Sequence, residues 1–181
     1  MNDETQILKD IIKGDTHAME RLYRRYAGYA TAVARRYVSD ADDMRDVLQD
    51  SFVKVFTNID KFTYRGEGSL KAWILRVVAN ESITMLRKSS KMSFTDNVPE
   101  NILVDEEPDV DYMPPEILND MIRKLPVGYR TVLNLFVFEN KSHKEIASIL
   151  GIKEDSSASQ FYRAKKMLAH MINDYKIRRK A

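Results

Sequence analysis

Cysteine is absent from the 181 residues, which excludes disulfides and thiolate metal sites and fits a reducing compartment. Glycine and proline are scarce, at six and five residues, and such sparse interruption favours helices over sheets. No apolar run approaches the roughly 18 residues of a membrane span, and residues 1–5 are acidic and polar, unlike a secretory leader. A soluble, cytoplasmic protein without membrane insertion is expected. Only three histidines occur, His17, His143 and His170, and they lie far apart with no HExxH spacing. A Gly-Lys-Ser/Thr phosphate loop and a nucleophile elbow are missing as well. No catalytic, metal-binding or cofactor-binding residue is expected, and no cofactor.

What is present is a strong segregation of charge. Residues 1–91 hold 16 Lys/Arg and 13 Asp/Glu, a net +3. Residues 92–122 hold nine acids and no Lys/Arg, and residues 123–181 hold 13 Lys/Arg against five acids, a net +8. The acidic stretch carries Pro99, Pro108, Pro114 and Pro115 and lacks helical periodicity until Glu116. It reads as a flexible connector. The expected fold is all-α: two small helical domains, 1–91 and 116–181, joined by an acidic linker at 92–115.

The second domain contains the most specific local pattern. Ser142 is placed to cap a helix, with Glu145 three residues on to return the bond, a capping box. Ile146, Ile149 and Leu150 share a face, Ala147 allows a close helix crossing, and Gly151 suits a left-handed helix end. A second amphipathic helix follows at once, carrying Arg163, Lys165 and Lys166. Two helices joined so tightly form a helix-turn-helix, whose second helix enters a DNA major groove. The competing reading is a plain helical hairpin. His143, just after the cap, is expected at the solvent surface.

Four helices are expected in the first domain, over about 4–13, 16–38, 41–59 and 70–88, the second burying Met19, Leu22, Tyr23, Tyr26, Ala30 and Val33 and the last capped by Ser69. The third buries Met44, Val47, Leu48, Ser51, Phe52, Val55 and Ile59 and turns Asp42, Asp46, Gln49, Asp50, Val53 and Thr57 outward. That acidic stripe is either a solvated face or a partner surface, and Val53 and Phe56 beside the acids favour the second. The fourth is apolar around most of its circumference. One stripe escapes, Trp73, Arg76, Asn80, Thr84 and Arg87, with Lys71 and Ser82 as a narrower exposed edge. The loop before it, 60–69, adds Phe62, Tyr64, Arg65 and two glycines. Cations interleaved with aromatics suit unstacked bases and their phosphates, unless the aromatics simply complete the core.

The order Asp-Asp-x-x-Asp-Val-x-Gln-Asp-x-Phe, aromatic loop, Ala-Trp-Ile, linker, helix-turn-helix resembles a sigma factor of the sigma-70 family. More narrowly it is similar to the extracytoplasmic-function (ECF, group 4) branch, which keeps only regions 2 and 4. The resemblance rests on 42–56, 61–88 and 125–168. It implies an RNA polymerase subunit that directs core enzyme to promoter DNA and helps open it. It implies that Asp42, Asp46, Gln49, Asp50, Val53 and Phe56 dock core RNA polymerase, whose β′ clamp and β subunits are the expected contacts. It assigns the −10 element to Phe62, Tyr64, Arg65, Trp73, Arg76, Asn80 and Arg87. The −35 element falls to Ser156, Ser159, Gln160, Tyr162, Arg163 and Lys166, which are expected to face away from Phe161, Ala164 and Leu168. An inhibitory anti-sigma factor is a further implied partner. The chain departs from the family at the recognition helix: Lys153 stands for a capping Ser, Asp155 for a Gly, and Ala158 for a frequent cation. A helix-turn-helix regulator acting apart from polymerase is the alternative, and it leaves the acidic helix and aromatic loop without a role.

Overall fold

The computed structural model describes residues 3–88 and 113–180, and all regular structure among them is helical. The chain divides into two compact units between Ser89 and Ser90. Most of the expected linker, and its acidic segment 105–111, lies outside the described residues.

The first unit contains α1 (Asp3–Ile12), α2 (Thr16–Tyr37), α3 (Ala41–Thr57), a 3₁₀ turn (Ile59–Lys61) and α4 (Ser69–Lys88). Carboxylates set two of the starts. Asp15 accepts from the backbone of His17 and Ala18, and Asp40 from that of Asp42 and Asp43. The expected third helix stops two residues short and tightens into the 3₁₀ turn, which aims the chain into the 62–68 loop. Caps of about 1 kcal/mol each set boundaries. Cohesion comes from apolar burial, about 1.5–3 kcal/mol per large side chain. Leu70, Ile74, Val78, Ala79, Ile83 and Leu86 make α4 the central helix, packed against both α2 and α3.

Three expectations need correction in this unit. Ser82 is fully buried: its hydroxyl donates to the Val78 carbonyl at 2.8 Å, and Ser51 does the same to Val47 at 2.6 Å. A hydroxyl satisfied by its own helix carries little burial penalty and adds little bulk between α3 and α4. Ser69 is the first residue of α4, and its hydroxyl works backwards, donating to the Gly66 carbonyl at 2.6 Å and accepting from the Arg65 amide at 3.2 Å. It therefore ties the loop to the helix start. Tyr23, expected in the core, is 47% exposed, with its ring edge-on to Phe52 at 4.7 Å.

The second unit contains α5 (Pro115–Lys124), α6 (Val127–Val137), α7 (His143–Leu150) and α8 (Glu154–Lys180). Ile122, Leu125, Tyr129, Leu133 and Ala164 form its core, extended by Phe161, Met167 and Leu168 of α8. The Ser142–Glu145 capping box forms in both directions, and Gly151 ends α7 at φ 69°. Glu145 is held below the ordinary glutamate range, first by the Ser142 backbone amide, then by the Ser142 hydroxyl and Lys141. Arg130 is buried on α6 and donates to the Arg123 carbonyl at 2.7 Å. Burial, and then the positive Arg123, lowers its pKa.

Candidate nucleic-acid and partner interfaces

Helix α3 presents two different edges. Along one, Asp42, Asp46, Gln49, Asp50, Val53 and Thr57 are all exposed, as their spacing requires. Val53 is 55% exposed, Phe56 is half-buried, and Arg45 offsets only Asp42, at 3.1 Å. The exposed Tyr23 joins this surface through Phe52, which sits between Tyr23 and Phe56 at 4.7 and 6.1 Å. Sequence reading missed Tyr23 because its helical phase matches the core stripe of α2.

Along the other edge, α3 meets α4 and leaves a cleft of about 370 Å³. Lys54, Asn58, Lys61, Phe62, Trp73, Val77, Asn80 and Glu81 line it. Phe62 and Trp73 lie 5.0 Å apart with a 31° tilt and form an aromatic wall. Opposite in character is a polar chain: Lys54 Nζ donates to Glu81 at 2.5 Å, and Lys61 Nζ to Asn58 Oδ1 at 3.1 Å. Of the residues expected at the −10 element, the cleft gathers Phe62, Trp73 and Asn80. Tyr64 is half-buried and Arg65, Arg76 and Arg87 are exposed, all outside the cleft lining. Lys54, Asn58, Lys61 and Glu81 were not foreseen. They come from the last turn of α3 and its cap, the 3₁₀ turn and α4, and only the packing of these elements brings them together.

In the second unit α8 follows α7 as the second helix of the helix-turn-helix. Ser159 and Tyr162 are exposed, the latter at 59%, and Ser156, Arg163 and Lys166 are half-buried. Lys166 Nζ lies 5.1 Å from the Tyr162 ring centroid, a cation over an aromatic face. Gln160 does not belong to this group. It is 5% exposed, on the inward stripe with Ser157 and Ala164, and its side-chain oxygen has no partner. The expected outward placement of Gln160 is therefore corrected: the outward face runs one step aside, through 155, 158, 159 and 162. His143 is also corrected. Instead of facing solvent it is half-buried against Phe136, Phe161 and Ser157. None of the described helices is long and apolar enough to cross a membrane.

A helical unit with an acidic-apolar face and an aromatic cleft, paired in one chain with a helix-turn-helix unit, defines a class of DNA-reading protein with a protein partner. The family model Sigma-70 region 2 matches residues 22–92, and Sigma-70, region 4 matches residues 116–168. The chain is 28% identical to an ECF RNA polymerase sigma-E factor of Haemophilus influenzae, over 92% of this chain and 93% of that one. It is 29% identical to the RNA polymerase sigma factor SigV of Bacillus subtilis, over 75% of this chain and 80% of that one. Its fold is similar to the sigma factor RpoE of Bartonella quintana, solved with the anti-sigma factor NepR. There the TM-score is 0.50 at 20% identity, covering 85% of this chain and 96% of that one. The chain belongs to the sigma-70 family and is an RNA polymerase sigma factor of the ECF type. RNA polymerase and promoter DNA are thus its partners, a family role that is not enzymatic, and the free-standing regulator is set aside.

Proposed function

We propose that the two edges of α3 divide the work of initiation. The outer edge, Asp42, Asp46, Gln49, Asp50, Val53 and Phe56 with Tyr23 beside it, docks the β′ clamp of core polymerase. The inner edge and α4 form the cleft that takes unpaired bases of the −10 element. The observation that carries this reading is the aromatic wall of Phe62 and Trp73 facing the amide of Asn80 within one cleft. Flipping a base costs a few kcal/mol of lost stacking, and aromatic contacts worth roughly 1–3 kcal/mol each offset that. Arg65, Arg76 and Arg87 lie exposed around this region of the unit and would hold the backbone of the opened strand. Opening is then driven by binding alone.

Helix α8 reads the −35 duplex with Ser156, Ser159 and Tyr162, while Arg163 and Lys166 reach phosphates or a guanine edge. Gln160 is left out of that set. The β subunit is the polymerase contact we assign to the second unit, and the cytoplasm is the site of action. An anti-sigma factor is the expected inhibitor, as NepR is the anti-sigma partner bound to the Bartonella relative.

The decisive experiment is promoter-dependent transcription by core polymerase with and without this protein, followed by permanganate footprinting. Transcripts and reactive thymines at the −10 element should appear only when the protein is added. Thymine reactivity unchanged from wild type in the Phe62→Ala and Asn80→Ala variants would remove the cleft from strand opening.

A further inference from the structure

His143 opens α7 directly after the turn from α6, yet its ring is half-buried between the other helices' aromatic rings. It stacks on Phe136 of α6 at 4.7 Å and 22°, and lies 5.7 Å from Phe161 of α8. The two phenyl rings are themselves 4.3 Å apart. On the same side, Nδ1 lies 3.0 Å from the hydroxyl of Ser157, a residue of α8 that is fully buried. One side chain thus touches all three helices of the helix-turn-helix unit's reading end. It meets α8 by a ring contact and by a directional bond. The bond forms in either tautomer, because a hydroxyl both donates and accepts.

The composition of α8 gives that bond its weight. Residues 154–160 read Glu-Asp-Ser-Ser-Ala-Ser-Gln, with nothing apolar larger than Ala158. The apolar anchors of the helix start at Phe161 and continue through Ala164, Met167 and Leu168. The buried positions of this stretch are the polar Ser157 and Gln160, so the part that enters a groove has no large apolar side chain of its own to anchor its rotation. A roll of about 20° at a side-chain radius of about 5–6 Å moves a tip by about 2 Å. That exceeds the tolerance of a hydrogen bond to a base edge.

We infer that His143 is a positioning residue for duplex reading, which fixes the rotation of the start of α8 through Ser157 and so aims Ser156, Ser159 and Tyr162. This rests on the reading of α8 as the −35 reader. His143 itself touches no DNA.

The test uses the full chain bound to core polymerase and a labelled duplex carrying the upstream promoter half, selected from randomised DNA by the wild-type holoenzyme. His143→Phe keeps a ring between Phe136 and Phe161 and deletes Nδ1; Ser157→Ala deletes the hydroxyl. Each should weaken duplex binding about three- to tenfold, and the double variant should be no weaker than either single one. Binding to a probe carrying only the −10 half should be unchanged, which a general loss of folding would not allow. His143→Asn, whose amide reaches the place of Nδ1, should recover part of the affinity lost in His143→Ala. Wild-type affinity in His143→Phe, or losses that multiply in the double variant, would overturn the inference while leaving α8 as the reader. Failure of the wild-type holoenzyme to select any upstream duplex would overturn both. If His143→Phe loses helical content, Ser157→Ala alone decides, by the same comparison of the two probes.

Discussion

Glu145 ties the stability of the helix-turn-helix to pH. Its carboxylate accepts from the Ser142 amide and hydroxyl, so its folded pKa lies below its unfolded one. The sign follows from linkage: the contribution is complete above the ordinary glutamate value of 4.5 and disappears as pH falls through the lower folded value. Glu145→Ala should therefore unfold at lower temperature than wild type at neutral pH, and the gap should close on acidification. Thermal melts of the two proteins across that range check it. Gln160 gives a second residue-level outcome. Burying an unpartnered carbonyl oxygen costs about 1–3 kcal/mol, so Gln160→Leu should leave stability unchanged or raised. Duplex affinity should stay within about twofold of wild type, a change well under the 1–3 kcal/mol of a base contact. A tenfold loss of affinity would return Gln160 to the groove.

At the scale of the helix, α3 is the element whose two faces can be separated. Asp46→Lys with Asp50→Lys should abolish binding to core polymerase and leave the circular dichroism spectrum intact, since both side chains point away from Val47, Phe52 and Val55. Wild-type affinity in that variant would reduce the stripe to a solvated face. The two DNA-facing helices should likewise fail in different ways. Lys166→Ala on α8 should weaken upstream duplex binding and reduce its salt slope by about one, as the loss of one phosphate contact requires. Asn80→Ala on α4 should leave duplex binding intact and impair opening, read as lost permanganate reactivity in complexes already formed. Arg130 shows a different use of a helix: buried on α6, it donates to the Arg123 carbonyl in the last turn of α5 and so joins the two elements.

Across the whole molecule, charge is distributed by unit rather than by residue. Residues 123–181 carry a net +8, and residues 92–122 nine acids without one Lys or Arg. Such a connector does not bind DNA, and its acids exceed what a spacer requires. We propose that residues 105–111 occupy a basic channel of polymerase, where their charge imitates nucleic acid and growing RNA displaces them. Replacing those acids by Ser and Asn at constant length should change the abortive-product pattern and promoter escape. Unchanged core affinity, abortive products and escape together would leave the segment a tether whose charge only keeps it solvated.

The sequence by itself determined what depends on short-range periodicity and local bonding. Helix existence, the outward acids of α3, the capping box at Ser142 and the left-handed Gly151 were all legible, because a 3.6-residue repeat and a cap are properties of neighbours along the chain. So was the family, from the order of its motifs. Tertiary structure decided what depends on which faces meet. Helical phase alone put Gln160 outside and Tyr23 inside. In the packed helices each is the other way round, Gln160 at 5% exposed and Tyr23 at 47%, since a phase error of one position is about 100° of rotation. The cleft joins Lys54 to Glu81 across two helices, and His143 meets Ser157 across a turn. Neither pairing follows from spacing. Each exists only because apolar surfaces elsewhere on the same helices bury one another and carry the polar groups into contact.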